Sequence, residues 1–160
     1  MTFKKSVESA APPLNRAYQA GLRGLKREHR KKVRCPETDR LTGSVNLDAA
    51  LARAHVHWHR WDYGIGYRPP AGAERAIWVE VHPATTGEVD TVLKKLAWLR
   101  SYLRGDAPQL FNLTLSGGTN TPRFVWLSTS FGTHINEISP QARRLRQAGL
   151  AIPRRVLQLP

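Results

Sequence analysis

Two acids stand among apolar and aromatic neighbours in segments that read as strands: Asp62 in "RWDYGIGY" (60–67) and Glu80 in "AIWVEVHPA" (76–84). An ionised carboxylate without a partner is costly to bury, so such a group neutralises or finds a cation. Acids on adjacent strands of a hairpin can meet at one end of the sheet. With a main-chain carbonyl they would form an oxygen-rich site suited to Mg²⁺ or Mn²⁺, able to polarise a phosphodiester and generate hydroxide from water. The alternative is a pair of ordinary ion pairs, for instance with Arg60 or Arg75.

Three other constellations carry less. His55, His57 and His59 alternate in "HVHWHRWD"; on a strand they would share a face and suit Zn²⁺. Their spacing of about 7 Å is too wide for one ion, so a solvated or phosphate-facing edge is expected, and core packing is the ordinary reading of Trp58 and Trp61 beside it. The connections "LSGGTNTPR" (115–123) and "STSFGTH" (128–134) lack phosphate-loop spacing but could ride over a ligand. No Ser/His/Asp arrangement has a nucleophile elbow around it.

The elements that would position the two acids follow from periodicity. The hairpin strands read as 57–67 and 76–82 around the turn "RPPAGAE". The clearest helix is 88–104, with Thr85 and Glu88 at capping-box spacing, Gly105 as its stop, and an apolar stripe of Val89, Val92, Leu93, Leu96, Leu99 and Leu103. At about 100° per residue, Lys94 points away from that stripe and Lys95 lies on its flank beside Trp98 and Tyr102. A flank lysine can bend toward the sheet end with its stem on apolar surface. "RFVWLST" (123–129) reads as a strand buried on both faces, 46–54 as a short helix, 140–148 as another and "RRVLQL" as a final strand. Residues 14–33 have a helical pattern weakened by Gly21 and Gly24, and residues 1–13 read as a flexible arm. The expectation is one α/β domain over 14–160, with a mixed central sheet flanked by helices.

At 160 residues, one core is the natural size. No apolar run approaches 18 residues and "MTFKKSVESAAPPLNRAY" has no apolar stretch, so neither a membrane span nor a secretory signal is expected. Cys35 is the lone cysteine, which excludes an internal disulfide or thiolate cluster and fits a reducing cytoplasm. The net charge of +13 points to a polyanionic partner, foremost nucleic acid. Lys26, Arg27, Arg30, Lys31, Lys32 and Arg34 form a dense phosphate track, and Arg143, Arg144, Arg146, Arg154 and Arg155 could form a second wall. A solvated helix face is the plainer alternative. No sequence-reading motif is present, so contact with the backbone is expected.

Asp62 in one strand, Glu80-Val81-His82 in the next, the helix 88–104 and the strand 123–129 together resemble the PD-(D/E)XK nuclease superfamily over about residues 46–130. The resemblance implies a restriction-endonuclease-like core and a metal-dependent phosphodiester hydrolase. Asp62, Glu80 and the carbonyl of Val81 would be ligands of Mg²⁺ or Mn²⁺, joined by an acid such as Asp48 or Glu28. It leaves open a homodimer that reaches both strands. The family lysine is replaced by His82, which is mostly neutral at pH 7 and could serve as base or ligand. Lys95 is the expected substitute for the missing charge. The missing lysine leaves the alternative of a catalytically inactive module of the same fold that binds nucleic acid or a protein, and a plainer reading is a basic RNA- or ribosome-associated protein whose two acids are structural.

Overall fold

Strand β3 (Tyr63–Tyr67) alternates large and absent side chains, and this alternation explains how the sheet is covered. Tyr63, Ile65 and Tyr67 turn to one face. Gly64 and Gly66 turn to the other, where a Cβ on Gly64 would lie 2.6 Å from the Trp78 ring and one on Gly66 2.6 Å from Phe3. The glycines therefore make room for an indole and a phenyl ring that come from elsewhere in the chain.

The computed structural model describes residues 1–116, 120–129 and 134–160. Its centre is a four-stranded sheet in the order β2 (Leu41–Asn46), β3, β4 (Arg75–His82), β5 (Phe124–Ser128). β2, β3 and β4 run antiparallel to their neighbours, whereas β4 and β5 are parallel. The long helix α4 (Val89–Asp106) and the shorter α5 (Pro108–Leu115) make the crossover between those parallel strands. They cover one face together with α1 (Phe3–Glu8), α3 (Leu47–Leu51) and α6 (Pro140–Gln147), enclosing Trp61, Trp78, Leu96, Leu99 and Trp126. The opposite face packs Ile65, Ile77, Val79, Val125 and Leu127 beneath Leu25, Val33 and Leu157. There a second, two-stranded parallel sheet pairs β1 (Val33–Arg34) with β6 (Leu157–Gln158). The protein is thus a mixed α/β fold with helices flanking a mixed sheet. Among the described residues, no helix is long and apolar enough to cross a membrane.

β5 is buried along its whole length, as a near-continuous apolar run between two covered faces requires. The 140–148 helix and the final strand also form, the latter only as β6. α4 starts one residue late and runs through Gly105 to Asp106; the capping box between Thr85 and Glu88 is not made, a 3₁₀ turn at Thr86–Glu88 leading in instead.

Other expectations are corrected. Residues 1–13 are not a loose arm. Thr2 caps α1, the Phe3 amide donates to Glu74 Oε1 at 2.9 Å, and Phe3 and Val7 are fully buried. Residues 14–33 are not one helix: a 3₁₀ turn at Leu14–Arg16 gives way at Gly21 (φ 54°), and only α2 (Arg27–Arg30) is helical thereafter. Helix 46–54 shrinks to α3 mainly at its C-terminal end, where residues 52–57 form turns, while Asn46, the last residue of β2, caps its start by accepting from the Ala49 amide at 2.9 Å. The first hairpin strand begins at Tyr63, so Asp62 lies just before it and His55, His57 and His59 lie outside any strand. Trp61 is fully buried as expected, but Trp58 is 60% exposed. Residues 117–119 and 130–133, within the two glycine-bearing loops, lie outside the described residues.

Phe3 fills the space above Gly66, so Phe3→Ala should cost about 3–5 kcal/mol of stability. Urea unfolding measures it; a change within about 0.5 kcal/mol is what a solvated arm would give.

Candidate functional site

The site is built where a ladder stops. β3 pairs with β4 from Tyr67–Arg75 to Tyr63–Val79, so continuing the register sets Asp62 opposite Glu80. The Trp78 amide donates to the Arg123 carbonyl toward β5, so by alternation the Val79 and Val81 amides face β3. With β3 ended, the Val81 amide is taken by Asp62 Oδ2 at 3.0 Å. Reciprocally, the Asp62 amide donates to Glu80 Oε2 at 3.0 Å. Each acid replaces a missing ladder partner for the other strand.

That clasp uses one oxygen of each carboxylate and aims the others at a common point. Lys95, in the second turn of α4, sits there: its Nζ donates to Glu80 Oε1 and lies 4.0 Å from Asp62 Oδ1. Lys94, by contrast, is exposed. His82 borders the pair, with Nδ1 3.6 Å from Glu80 Oε1 and Nε2 bonded to Glu88 Oε2 at 2.7 Å. The His82 carbonyl accepts from Trp126 Nε1 at 3.0 Å, which fixes the backbone at the strand end.

Glu80 is fully buried, on the same face as Trp78 and opposite Trp126 in the register. Burial pushes its pKa up to about 8, the Asp62 charge adding to the rise while Lys95 and the Asp62 amide pull it down. Asp62 is raised as well, chiefly by burial, against the pull of Lys95 and the Val81 amide. The two titrate together, so at neutral pH the cluster holds fewer than two negative charges.

Asp62, Glu80, His82 and Lys95 are therefore brought together, with the Val81 amide at their edge. Arg60 does not pair with Asp62: its guanidinium is held by Asp48 Oδ1 at 2.9 Å. Asp48, so engaged, reaches Asp62 through its backbone, its amide donating to the Asp62 carbonyl at 3.3 Å. Glu28 lies on α2, near enough to pull His29 upward. Glu80 Oε1 and Asp62 Oδ1, which face Lys95 Nζ at one point, would suit a hard ion that keeps much of its own water once the lysine turned away. Among the described residues, no group of three or more His, Cys, Asp or Glu could hold a metal, so the closed donor set of a structural zinc site is not formed.

Reading the sequence alone misses two neighbours. His29 Nδ1 lies 2.7 Å from the hydroxyl of Tyr63, the residue after Asp62, and burial lowers the His29 pKa while Glu28 and Asp62 raise it. Glu88, read only as a cap, anchors His82 instead. His29 is brought in by the irregular 14–33 segment and leaves no spacing signal; the interval between His82 and Glu88 was visible but belongs to a turn.

The basic residues reach the same rim from both sides. Lys26, Arg27, Arg30, Lys31 and Arg34 are exposed, and Arg30 also ties Leu25 and Arg23 carbonyls. Lys31, Lys32, Arg34 and Arg155 line a concavity of about 390 Å³. Lys32 donates to the Ser128 carbonyl at 2.7 Å, and Ser128 is the register partner of His82. On the helical face, exposed Arg143 and Arg144 lie on α6, and Arg144 meets Asp90 in the first turn of α4. Among known proteins, the chain matches no family model, no curated protein and no solved structure.

The raised Glu80 pKa sets a pH dependence of stability. An unfolded glutamate near 4.5 against a folded one near 8 means that the folded chain holds the extra proton between those values. Raising the pH through that window then weakens the fold. Glu80→Gln cannot ionise, so its stability relative to wild type should climb from about pH 4.5 to 8 and level above, in urea titrations. Parallel curves across the window would show that Glu80 is charged throughout.

Proposed function

We propose that the protein is a metal-dependent phosphodiester hydrolase acting on nucleic acid, a divergent relative of the PD-(D/E)XK nucleases with a restriction-endonuclease-like core. The observation that carries it is the shared aim of Asp62 Oδ1 and Glu80 Oε1 at one cationic point on the sheet rim. The chain order around that point agrees: an antiparallel pair with Asp62 just before its first strand and Glu80 in its second, a long helix, then a parallel buried strand. Mg²⁺ or Mn²⁺ would be held by Asp62, Glu80 and the Val81 carbonyl. When bound, such an ion supplies Lewis-acid polarisation and a water of lowered pKa.

The chain's own residues divide the remaining work. Lys95 carries the fixed positive charge that His82 does not guarantee, on a stem long enough to turn from the acids to a phosphate oxygen. His82, anchored by Glu88 through Nε2, keeps Nδ1 toward the acids, where it can take up a proton. The basic concavity and α6 hold the strand backbone on either side. Nucleic acid is the substrate class that the charge favours, the lone Cys35 fits a reducing cytoplasm, and a homodimer would place two such sites on a duplex.

One observation favours a second reading. Lys95 already satisfies both acids, as it would in an inactive module that keeps the fold and binds nucleic acid or a protein. Incubation with DNA and RNA in Mn²⁺, beside Asp62→Ala and Glu80→Ala, separates the two. Metal-dependent cutting lost in both variants is expected, with calorimetric Mn²⁺ heats also lost in Glu80→Ala. Equal heats from wild type and variant would remove the metal site.

Backbone binding has its own test, without metal. Log affinity should fall with log salt concentration by about 0.9 per phosphate contacted on duplex DNA, so replacing Lys31 and Arg34 together by Ala should shallow the slope by about 2. An unchanged slope would place the nucleic acid elsewhere.

A further inference from the structure

The segment that leads into Asp62 and the helix that carries Lys95 also enclose a second feature. His55, Trp58, Trp98, Ser101, Tyr102 and Asp106 line a pocket of about 170 Å³. Trp98 and Tyr102 stack along α4, their ring centroids 5.3 Å apart and their planes 17° from parallel. His55 stands edge-on to both, at 6.0 and 5.6 Å, and also meets Trp58 at 6.4 Å. Trp58 is 60% exposed, an indole held at the surface beside a pocket that its own ring does not fill. Tyr102 is 5% exposed and, among the described residues, its hydroxyl has no hydrogen-bond partner.

Three facts indicate what such a pocket takes. Its walls are flat π-surfaces, which attract another planar ring regardless of sequence. Ser101 and the Asp106 carboxylate supply a donor and acceptors at the margin, and a carboxylate accepts from exocyclic amines of bases while repelling phosphate. Lys95, Trp98 and Tyr102 lie on one stripe of α4, so by helical rise the aromatic surface starts about 5 Å and reaches about 10 Å beyond the lysine at the two acids. That is a span over which one nucleotide can have its phosphate at the acids and its base in the pocket.

We propose that this aromatic pocket binds one unpaired nucleobase of the strand whose phosphate lies at Asp62 and Glu80. The inference rests on the nuclease reading for the identity of the ligand and deepens it: the substrate is single-stranded nucleic acid, or a duplex with a displaced base. A paired base, stacked between its neighbours, does not reach the pocket.

The test measures binding in a metal chelator, so that it does not depend on cutting. Labelled single strands, the matching duplex and a single strand with abasic positions are titrated into wild type, Trp58→Ala and Trp58→Phe. Trp58 is exposed, so its replacement leaves the core intact. Trp58→Ala should weaken single-strand binding by about 5- to 150-fold, the worth of one stacked base. Trp58→Phe should restore most of it, and duplex affinity should not change. The abasic strand should bind wild type as weakly as the intact strand binds Trp58→Ala. Equal losses on single strand and duplex, or no loss on either, overturn the proposal. So does a trimethyllysine peptide that binds in a Trp58-dependent way while oligonucleotides do not, since an aromatic cage can also take a methylated ammonium. Cutting assayed separately in Mn²⁺ distinguishes the two readings. Trp58-dependent single-strand binding without cutting removes the nuclease and keeps the base pocket; cutting indifferent to Trp58 and to strandedness does the reverse.

Discussion

The structure turns on the burial of one carboxylate. Glu80 has no exposed surface and stands between Trp78 and the β5 register partner Trp126, where an unpaired charge would be expensive by several kcal/mol. Three groups make it tolerable: the Asp62 amide, the Lys95 ammonium, and a proton held at raised pKa. Each comes from a different constraint. The amide is available because β3 ends at Tyr63, the ammonium because α4 returns across the sheet, and the proton because burial disfavours the charge and the nearby Asp62 adds to that. A buried group so arranged adds little net stability; what it supplies is a fixed geometry at the end of the sheet.

Much of that geometry was legible because it depends on period. An acid at the entry to one strand, an acid within the next, an amphipathic helix and a lysine on its flank are enough to bring Asp62, Glu80 and Lys95 together, since side-chain direction follows from 2.0 and 3.6 residues per repeat. The apolar run of β5 was legible for the same reason. What escaped was held together by contacts distant in sequence. Phe3 has no periodic partner in its own segment, because its partner is the absent side chain of Gly66. Gly24 could not be recognised as a turn against β2, where its amide meets Ser44 Oγ at 2.8 Å, and so the helical pattern of 14–33 dominated. β2 itself, "LTGSVN", is polar and glycine-bearing, and becomes a strand only because β3 offers a ladder.

Charge and fold are related at one edge. The parallel pairing of β1 and β6 brings Lys31, Lys32 and Arg34, from the first quarter of the chain, beside Arg155 near the last residues. Burial lowers the Lys32 pKa, and Arg155 and Lys31 lower it further, so these cations are held together against their mutual repulsion. A fold that gathers like charges beside the carbonyl of Ser128, next to His82, leaves a field that an anion would relax. The field is directional: its sources lie on both faces of the sheet, and the acids lie at the rim between them.

The position of the lysine has a mechanical consequence. A lysine at position 82 would share a strand and a face with Glu80, and the distance between the two charges would be set by β4 alone. His82 is instead tied to Glu88, and the ammonium comes from α4, so the spacing between Lys95 and the acids depends on how helix and sheet pack. Val92 and Leu96, fully or almost fully buried on either side of Lys95, fix the helix, and the flexible part is the lysine stem itself. The same stem that neutralises Glu80 in one rotamer can leave it in another without moving the backbone. An exchange of partners at this site is therefore a side-chain event, and its free-energy cost is set by the Glu80 carboxylate that the lysine would leave behind.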